Sequence, residues 1–196
     1  MRDRHKGETC VLTGMGPSFA DVPNEFLESY ITFGVNKVWL KGFSPAYYVA
    51  TDPWMNPYVR WMKNMKCRDY FLLESFGKHL AGSIPVGSVM RTIPEGLWVG
   101  GGSVLIMCLR IAHIMGFETA LMVGLDHTGD GTHFHKAYDQ WGAKKTYKQD
   151  IHQVDKGFQV CRDEYEKSGK RIINLTPGSK CTVFEKEDIG LWQTHI

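Results

Sequence analysis

A glycine-rich turn is the clearest place in this sequence for chemistry on a phosphate. It reads Gly14-Met-Gly16-Pro17-Ser18 and follows a short apolar run, the pattern of a buried strand that enters a tight turn. Glycines let a backbone approach a phosphate closely, and amides near a helix start supply donors. The turn is neither a dinucleotide fingerprint, because Phe19 replaces the third glycine, nor a P-loop. An ordinary tight turn is therefore the alternative.

Two further positions strengthen the nucleotide interpretation. Asn36 ends the next predicted strand about twenty residues on, where nucleotide-binding α/β domains place a partner for ribose hydroxyls. Gly102 and Ser103 close a run of glycines and open a predicted helix with a good N-cap, which makes a second anion cradle. A flexible turn with an ordinary cap is the alternative for this second position.

Two aspartates also end predicted strands, at the edge where the glycine turns should lie. They are Asp52 and Asp126, the second of which follows Gly124 in a Gly-Leu-Asp segment. Either carboxylate has the chemistry to hold sugar hydroxyls or a metal. Each also suits a simpler role as the cap of a turn, and for Asp126 this role is the stronger interpretation.

His152 is the candidate general base. It falls in the first turn of a predicted amphipathic helix, where the positive end of the helix dipole disfavours the imidazolium form. A neutral imidazole in that position has the chemistry to accept a proton near neutral pH. The alternative is a surface histidine, which is the usual role of a lone histidine at a helix start.

Other histidines and the cysteines give no metal signature. His127, His133 and His135 surround an aspartate, but their spacing matches no zinc motif, and a polar lid is the expected role. The cysteines contain no C-x-x-C pair and are predicted to be separate buried thiols. They are Cys10, Cys67, Cys108, Cys161 and Cys181.

The elements that position these residues alternate between strand and helix. Strands are predicted at 10–13, 31–35, 46–50, 69–73, 119–123 and 171–175, and helices at 24–29, from Pro53, at 103–115 and at 152–168. Residues 74–100 are expected to be irregular, and the aperiodic segment 127–150 is expected to be a lid. The alternation predicts a single Rossmann-like three-layer α/β/α domain over 1–196, with a mostly parallel sheet. Ligands bind such sheets beyond the carboxyl ends of the strands.

Composition excludes several classes of partner. The chain has 196 residues, 43% hydrophobic and 22% charged, with a net charge of +2 and dispersed basic residues, so nucleic acid is not expected. No apolar run has the length of a membrane span, and the charged start lacks an apolar signal segment, so a cytoplasmic protein is predicted. A homo-oligomer is compatible with the sequence.

Taken together, these segments resemble the bacterial lipooligosaccharide sialyltransferases and the related glycosyltransferase-like domains of motility-associated factors. The resemblance covers most of the chain and extends to the closing Pro177-x-Ser179 turn. It implies a metal-independent transferase that needs no cofactor, takes a CMP-sugar as donor and uses a glycan or similar acceptor. It assigns the catalytic base to His152. It assigns the donor site to Gly14, Gly16, Pro17, Asn36, Asp52, Ser103 and Gly124.

Several positions depart from the pattern of that family. Met15 and Asp52 stand where the family has asparagines, and Gly100 stands where it has an arginine. Thr128 and Phe134 stand where it has two tyrosines that steady the donor phosphate. Candidate substitutes for these phosphate contacts are His127, Lys136, Tyr138 and Tyr147.

Two other functions stay open at this level. A similar Gly-Pro-Ser and Gly-x-Asp pattern occurs in an archaeal pterin diphosphokinase, an enzyme that would need magnesium, with Asp52 and Asp126 as the available ligands. A catalytically silent nucleotide-binding module is the third interpretation. Loss of the phosphate-binding tyrosines and arginine favours it, whereas retention of His152 argues against it.

Overall fold

A parallel sheet of eight strands runs through the part of the protein that the structure describes. The computed structural model describes residues 1–77, 80, 82–87, 102–140 and 150–193. Within these residues the strands are β1 (Thr9–Thr13), β2 (Ile31–Val35), β3 (Tyr47–Ala50), β4 (Asp69–Leu72), β5 (Ile84–Pro85), β6 (Thr119–Val123), β7 (Arg171–Asn174) and β8 (Glu185–Lys186). They are ordered β5-β4-β3-β2-β1-β6-β7-β8, and each neighbouring pair is parallel.

Helices connect the strands in the described part of the chain. They are α1 (Asn24–Glu28), α2 (Val59–Met62), α3 (Glu74–Gly77), α4 (Val104–Ile114), α5 (Lys136–Gln140), α6 (Ile151–Lys167) and α7 (Gly190–Gln193). Short 3₁₀ turns lie at Pro17–Asp21, Val38–Lys41 and Pro53–Tyr58. None of the described helices combines the length and the apolar character that a bilayer span requires.

The strand order creates a switch point between β1 and β6. From β1 the chain adds strands in one direction to β5, and after α4 it returns to β6 and continues to β8 on the other side. Because parallel crossovers are right-handed, this reversal places helices on opposite faces of the sheet. The predicted Rossmann-like α/β/α architecture is confirmed. In sheets of this kind, ligands bind at the carboxyl ends of the strands where the strand order reverses.

Continuous apolar runs form the central strands because both faces of the sheet are covered. All residues of β6 are buried, and Cys10, Val11 and Leu12 of β1 have no exposed surface. Helix α4 buries most of its length against the same strands, and Gly116, with φ of +92°, ends it as predicted.

The structure also shows elements that the sequence did not indicate. Strands β5 and β8 have two residues each, and β5 with α3 lies in the segment expected to be irregular. Helix α5 lies inside the predicted lid, so residues 136–140 of that segment are helical although the sequence there shows no periodicity. The rest of the predictions for 74–100 and 127–150 falls on 78–79, 81, 88–100 and 141–149, outside the described residues.

Candidate nucleotide site at the carboxyl edge of the sheet

The two glycine turns of the switch point lie in direct backbone contact. The Gly14 N–H donates to the Val123 carbonyl at 2.7 Å. A Cβ atom on Gly14 would lie 2.3 Å from the Gly124 carbonyl oxygen, and one on Gly124 would lie 2.7 Å from the Gly14 oxygen. Gly124 also has a φ of +68°. Packing of the β1 and β6 turns therefore requires glycine at both positions, independently of any ligand.

Hydrogen-bond donors in the turn after β1 bind an aspartate from the turn after β6. The Ser18 N–H lies 3.1 Å from Asp126 Oδ1, and the Ser18 hydroxyl donates to Asp126 Oδ2 at 2.8 Å. A Cβ atom on Gly16 would lie 2.1 Å from the same Oδ2. Pro17 begins the 3₁₀ turn that presents these donors. A carboxylate of the protein thus lies in the glycine turn that the sequence predicts as a phosphate site.

The loop that carries Asp126 is fixed from its other side by the turn after β7. The Leu125 N–H donates to the Thr176 hydroxyl at 2.9 Å, and the Ser179 hydroxyl donates to the Leu125 carbonyl at 2.5 Å. The Asn174 side chain donates to the Ser179 oxygen and accepts from the Thr176 N–H. The Pro-x-Ser turn therefore holds the loop of Asp126 in place through hydrogen bonds to Leu125.

Asn36 provides an unused acceptor at the end of β2. It has a left-handed backbone with φ of +45°, which asparagine tolerates better than most residues. Its Nδ2 donates to Asp52 Oδ2 at 3.3 Å, and its carbonyl accepts from the Tyr48 hydroxyl at 2.7 Å. Among the described residues, its buried Oδ1 atom has no hydrogen-bond partner. A buried acceptor of this kind is suited to a ligand hydroxyl or amine.

Asp52 is the neighbour of this acceptor and is itself largely shielded from water. Burial raises the pKa of the Asp52 carboxyl above its ordinary value, while the hydrogen bond from Asn36 acts in the opposite direction. The pair therefore offers an amide oxygen and a carboxyl group side by side. Each residue follows its strand, β2 or β3, as the sequence predicted.

A buried lysine beside Asn36 was not singled out from the sequence. Lys37 has no exposed surface, and its Nζ donates to the Tyr138 carbonyl at 2.6 Å. The ammonium also lies 4.9 Å from the ring centres of Tyr58 and Tyr138 and 5.4 Å from that of Trp54. Lysines are rarely fully buried, and the three aromatic residues are distant from Lys37 in the sequence, so no local pattern indicated this contact.

Part of the predicted lid lies across the first glycine turn. The Phe134 N–H donates to the Met15 carbonyl at 3.0 Å, and the Phe134 ring meets that of Phe19 edge to face at 5.0 Å. The rings of His133 and Tyr138 stack with their centres 3.8 Å apart. Residues 133–138 thus form one wall of the site, whereas Tyr147 lies outside the described residues.

Ser103 begins α4 at the same edge. The helix ends just before β6 begins at the amino edge, so its start lies at the carboxyl edge. The Ser103 hydroxyl accepts from the Leu105 N–H at 3.4 Å as an N-cap, and Gly102 precedes it with φ of +57°. The predicted helix start and cap are confirmed, while the contact with a donor stays a prediction. Gly100 lies outside the described residues.

His152 lies in the first turn of α6, as predicted. Asp150 caps the helix by accepting from the Gln153 N–H at 3.2 Å, and the His152 side chain is exposed. Ile151 lies against Gly129 of the lid segment, so the helix starts at the carboxyl edge. In the described part of the chain, the imidazole makes no hydrogen bond or ion pair that would orient it.

The three lid histidines separate in the structure. His127 makes a hydrogen bond with Asp155 of α6, with 2.8 Å between Nε2 and Oδ1. His133 stacks on Tyr138, and His135 accepts from the Ala137 N–H through Nδ1. His127 therefore contacts α6, whereas the other two face their own segment.

Comparison with solved structures defines the class of fold. The sialyltransferase CstII from Campylobacter jejuni, solved in complex with the substrate analogue cytidine-5'-monophosphate, aligns with a TM-score of 0.63 at 10% identity, over 92% of this chain and 85% of that one. The monofunctional α-2,3-sialyltransferase Cst-I from the same organism aligns with a TM-score of 0.62 at 13% identity, over 89% and 78%. No family model and no curated protein matches the chain. The chain has a sialyltransferase-like fold.

Proposed function

We propose that the protein is a glycosyltransferase that transfers a sugar from a CMP-sugar donor. The observation that carries the proposal is the likeness to sialyltransferase structures over 92% of the chain, with Asn36 and the two glycine turns grouped at the switch point. In such sheets the switch point is where nucleotides bind. CstII was solved in complex with cytidine-5'-monophosphate.

The nucleoside half of the donor binds at the ends of β2 and β3. Asn36 Oδ1 is buried and, within the described residues, lacks a donor, so a ligand hydroxyl or amine would satisfy it. Asp52 stands next to it and accepts from Asn36 Nδ2 at 3.3 Å. A buried acceptor without a hydrogen-bond partner costs about 1–3 kcal/mol. A ligand that donates a hydrogen bond to Asn36 Oδ1 therefore gains affinity.

The phosphate half binds at the start of α4 rather than in the first glycine turn. The Asp126 carboxylate already holds the Ser18 donors and would repel a second anion there. Helix α4 has 11 residues, and the positive end of its dipole lies beside Gly102 and Ser103. Gly14, Gly16, Pro17, Ser18 and Gly124 then shape the wall of the site. The donor phosphate needs no divalent ion.

His152 acts as the general base in a direct displacement. Its neutral imidazole takes the proton of the acceptor hydroxyl as that oxygen forms a bond to the anomeric carbon of the sugar. The bond between the anomeric carbon and the phosphate oxygen breaks, and CMP leaves with the electron pair. The helix dipole of α4 stabilises the charge that develops on the departing phosphate. The exposed position of His152 leaves room for an acceptor.

CMP release from CMP-sialic acid tests this proposal directly. The purified chain is assayed with and without EDTA and with a panel of galactose-terminated acceptors, and CMP is detected by a coupled enzyme. Release that depends on acceptor and survives EDTA is the expected result. Binding of CMP without any release would support a silent nucleotide-binding module instead, and turnover only with ATP, a pterin and magnesium would support a diphosphokinase.

A further inference from the structure

Three side chains with metal-binding atoms meet behind the candidate donor site. They are His127, which follows β6, Asp155 in α6, and Cys181, which follows β7. A ring nitrogen, a carboxylate oxygen and the thiol sulfur all lie within 4.8 Å of one another. The three residues come from segments far apart in the sequence, so the cluster is a product of the fold.

The geometry of this cluster is close to that of a zinc site. Zinc holds nitrogen and oxygen ligands at about 2.0–2.2 Å and sulfur at about 2.3 Å, so its ligand atoms lie about 3.3–3.7 Å from one another. His127 Nε2 and Asp155 Oδ1 are 2.8 Å apart. Shifts on the order of 1 Å would bring all three atoms to these distances around one ion.

Burial supports a built site. The His127 side chain is 4% exposed and Cys181 is fully buried, while the Asp155 side chain is 36% exposed and opens the cluster to solvent. Two of the three ligand groups are therefore held away from water by the fold.

The chemistry of the three ligands selects the ion. An imidazole, a carboxylate and a thiolate suit Zn²⁺, whereas Mg²⁺ prefers oxygen ligands alone. We propose that His127, Asp155 and Cys181 bind one Zn²⁺ ion, with water as a fourth ligand on the exposed side of Asp155. The ion joins the end of β6, the second turn of α6 and the segment after β7. Zinc binding is independent of the proposed transferase activity.

Metal titration of the full chain tests the site. After chelation and removal of the chelator, Zn²⁺ is titrated by calorimetry and Co²⁺ by absorption. We expect one equivalent of either ion, a thiolate-to-cobalt charge-transfer band, and loss of that band in Cys181→Ser. His127→Ala and Asp155→Asn should each weaken Zn²⁺ binding at least about tenfold, because the first removes a ligand atom and the second removes the negative charge of another.

Matched variants control for nonspecific binding. Cys67→Ser, His135→Ala and Asp163→Asn change the same residue types outside the cluster and should leave the affinity unchanged. The melting temperature of each variant is measured first, and the His127 and Asp155 variants carry the test if Cys181→Ser does not fold. Absence of stoichiometric binding would overturn the site. So would an affinity that the His127 and Asp155 variants leave unchanged or that the controls reduce equally.

Discussion

Asp126 and Ser18, 108 residues apart in the sequence, are joined by hydrogen bonds from both the N–H and the hydroxyl of Ser18 to the Asp126 carboxylate. The contact links the turn after β1 to the turn after β6, so it fixes the two walls of the switch point relative to each other. It also puts a negative charge into the first glycine turn. That charge is the reason to assign the donor phosphate to α4.

The stability of the switch point should depend on this pair as a unit. Ser18→Ala and Asp126→Asn are each expected to lower the free energy of unfolding by about 1–2 kcal/mol, because each removes a hydrogen bond to a charged group. The double variant should lose less unfolding free energy than the two single variants together, with a coupling energy of about 1 kcal/mol between the two side chains. Urea unfolding of the four proteins measures the cycle. Strict additivity would mean that the contact contributes nothing.

Gly14 should tolerate no side chain. In Gly14→Ala the new Cβ would lie 2.3 Å from the Gly124 carbonyl oxygen, and backbone atoms at that distance have to move. We expect a loss of more than about 2 kcal/mol in the free energy of unfolding. Gly131→Ala is the control, since its Cβ meets nothing within 4 Å and only the φ of +76° opposes it. Equal melting temperatures for the two variants would contradict the close approach.

Asn36 should contribute to nucleotide affinity rather than to folding. Asn36→Gly keeps the left-handed backbone and removes the amide, so it should weaken CMP binding roughly tenfold, about 1.4 kcal/mol. Asn64→Gly changes an exposed asparagine away from the site and should bind CMP as the parent protein does. Calorimetric titration with CMP measures both. An unchanged affinity in Asn36→Gly would remove this residue from the donor site.

His152 should separate turnover from binding. His152→Ala is expected to lower the rate of CMP release about 10²–10⁴-fold while the affinity for CMP stays within about twofold, because a general base acts only on the reacting proton. Lys156→Ala, one turn further along α6 and also exposed, is the control. Equal loss of rate and affinity in His152→Ala would indicate a binding role instead of a general base.

His113 should make the protein less stable in mild acid. Burial, followed by the charges of Lys170, Arg110 and Arg2, lowers its pKa from 6.5 to about 4. The unfolded chain therefore takes up a proton that the folded chain refuses, so the stability present above pH 6.5 is lost as the pH falls towards about 4. When the pH is lowered from about 7.5 to about 5, the free energy of unfolding measured with urea should fall more for the parent protein than for His113→Gln. Parallel pH profiles would contradict the lowered pKa.

The central fold could be predicted because its elements carry strong local patterns. Residues 119–123 form a continuous apolar run, and both α4 and α6 show a helical stripe that ends at a glycine. Their observed bounds agree with the predicted ones to within one residue. The two-residue strands β5 and β8 have no such pattern, because only their pairing to β4 and β7 makes them strands.

The contacts that define the site depend on residues distant in sequence. Nothing in the local sequence indicates that Asp126 turns back to Ser18, or that Lys37 is enclosed by Trp54, Tyr58 and Tyr138. The left-handed conformation of Asn36 could have been predicted, because asparagine at a strand end tolerates it. Spacing alone grouped the lid histidines, whereas the fold groups His127 with α6.

A thermal-shift panel of CMP, CDP, UDP, GDP and ATP, each with and without magnesium, tests the central claim most directly. A ligand that binds only the folded state stabilises it by mass action and so raises the melting temperature. At a free ligand concentration of a hundred times the dissociation constant, the free energy of unfolding rises by about 2.7 kcal/mol. The proposed CMP-sugar site predicts stabilisation by CMP and CDP above the other nucleotides, with no effect of magnesium. Stabilisation only by ATP with magnesium, or equal responses to all five nucleotides, would contradict it.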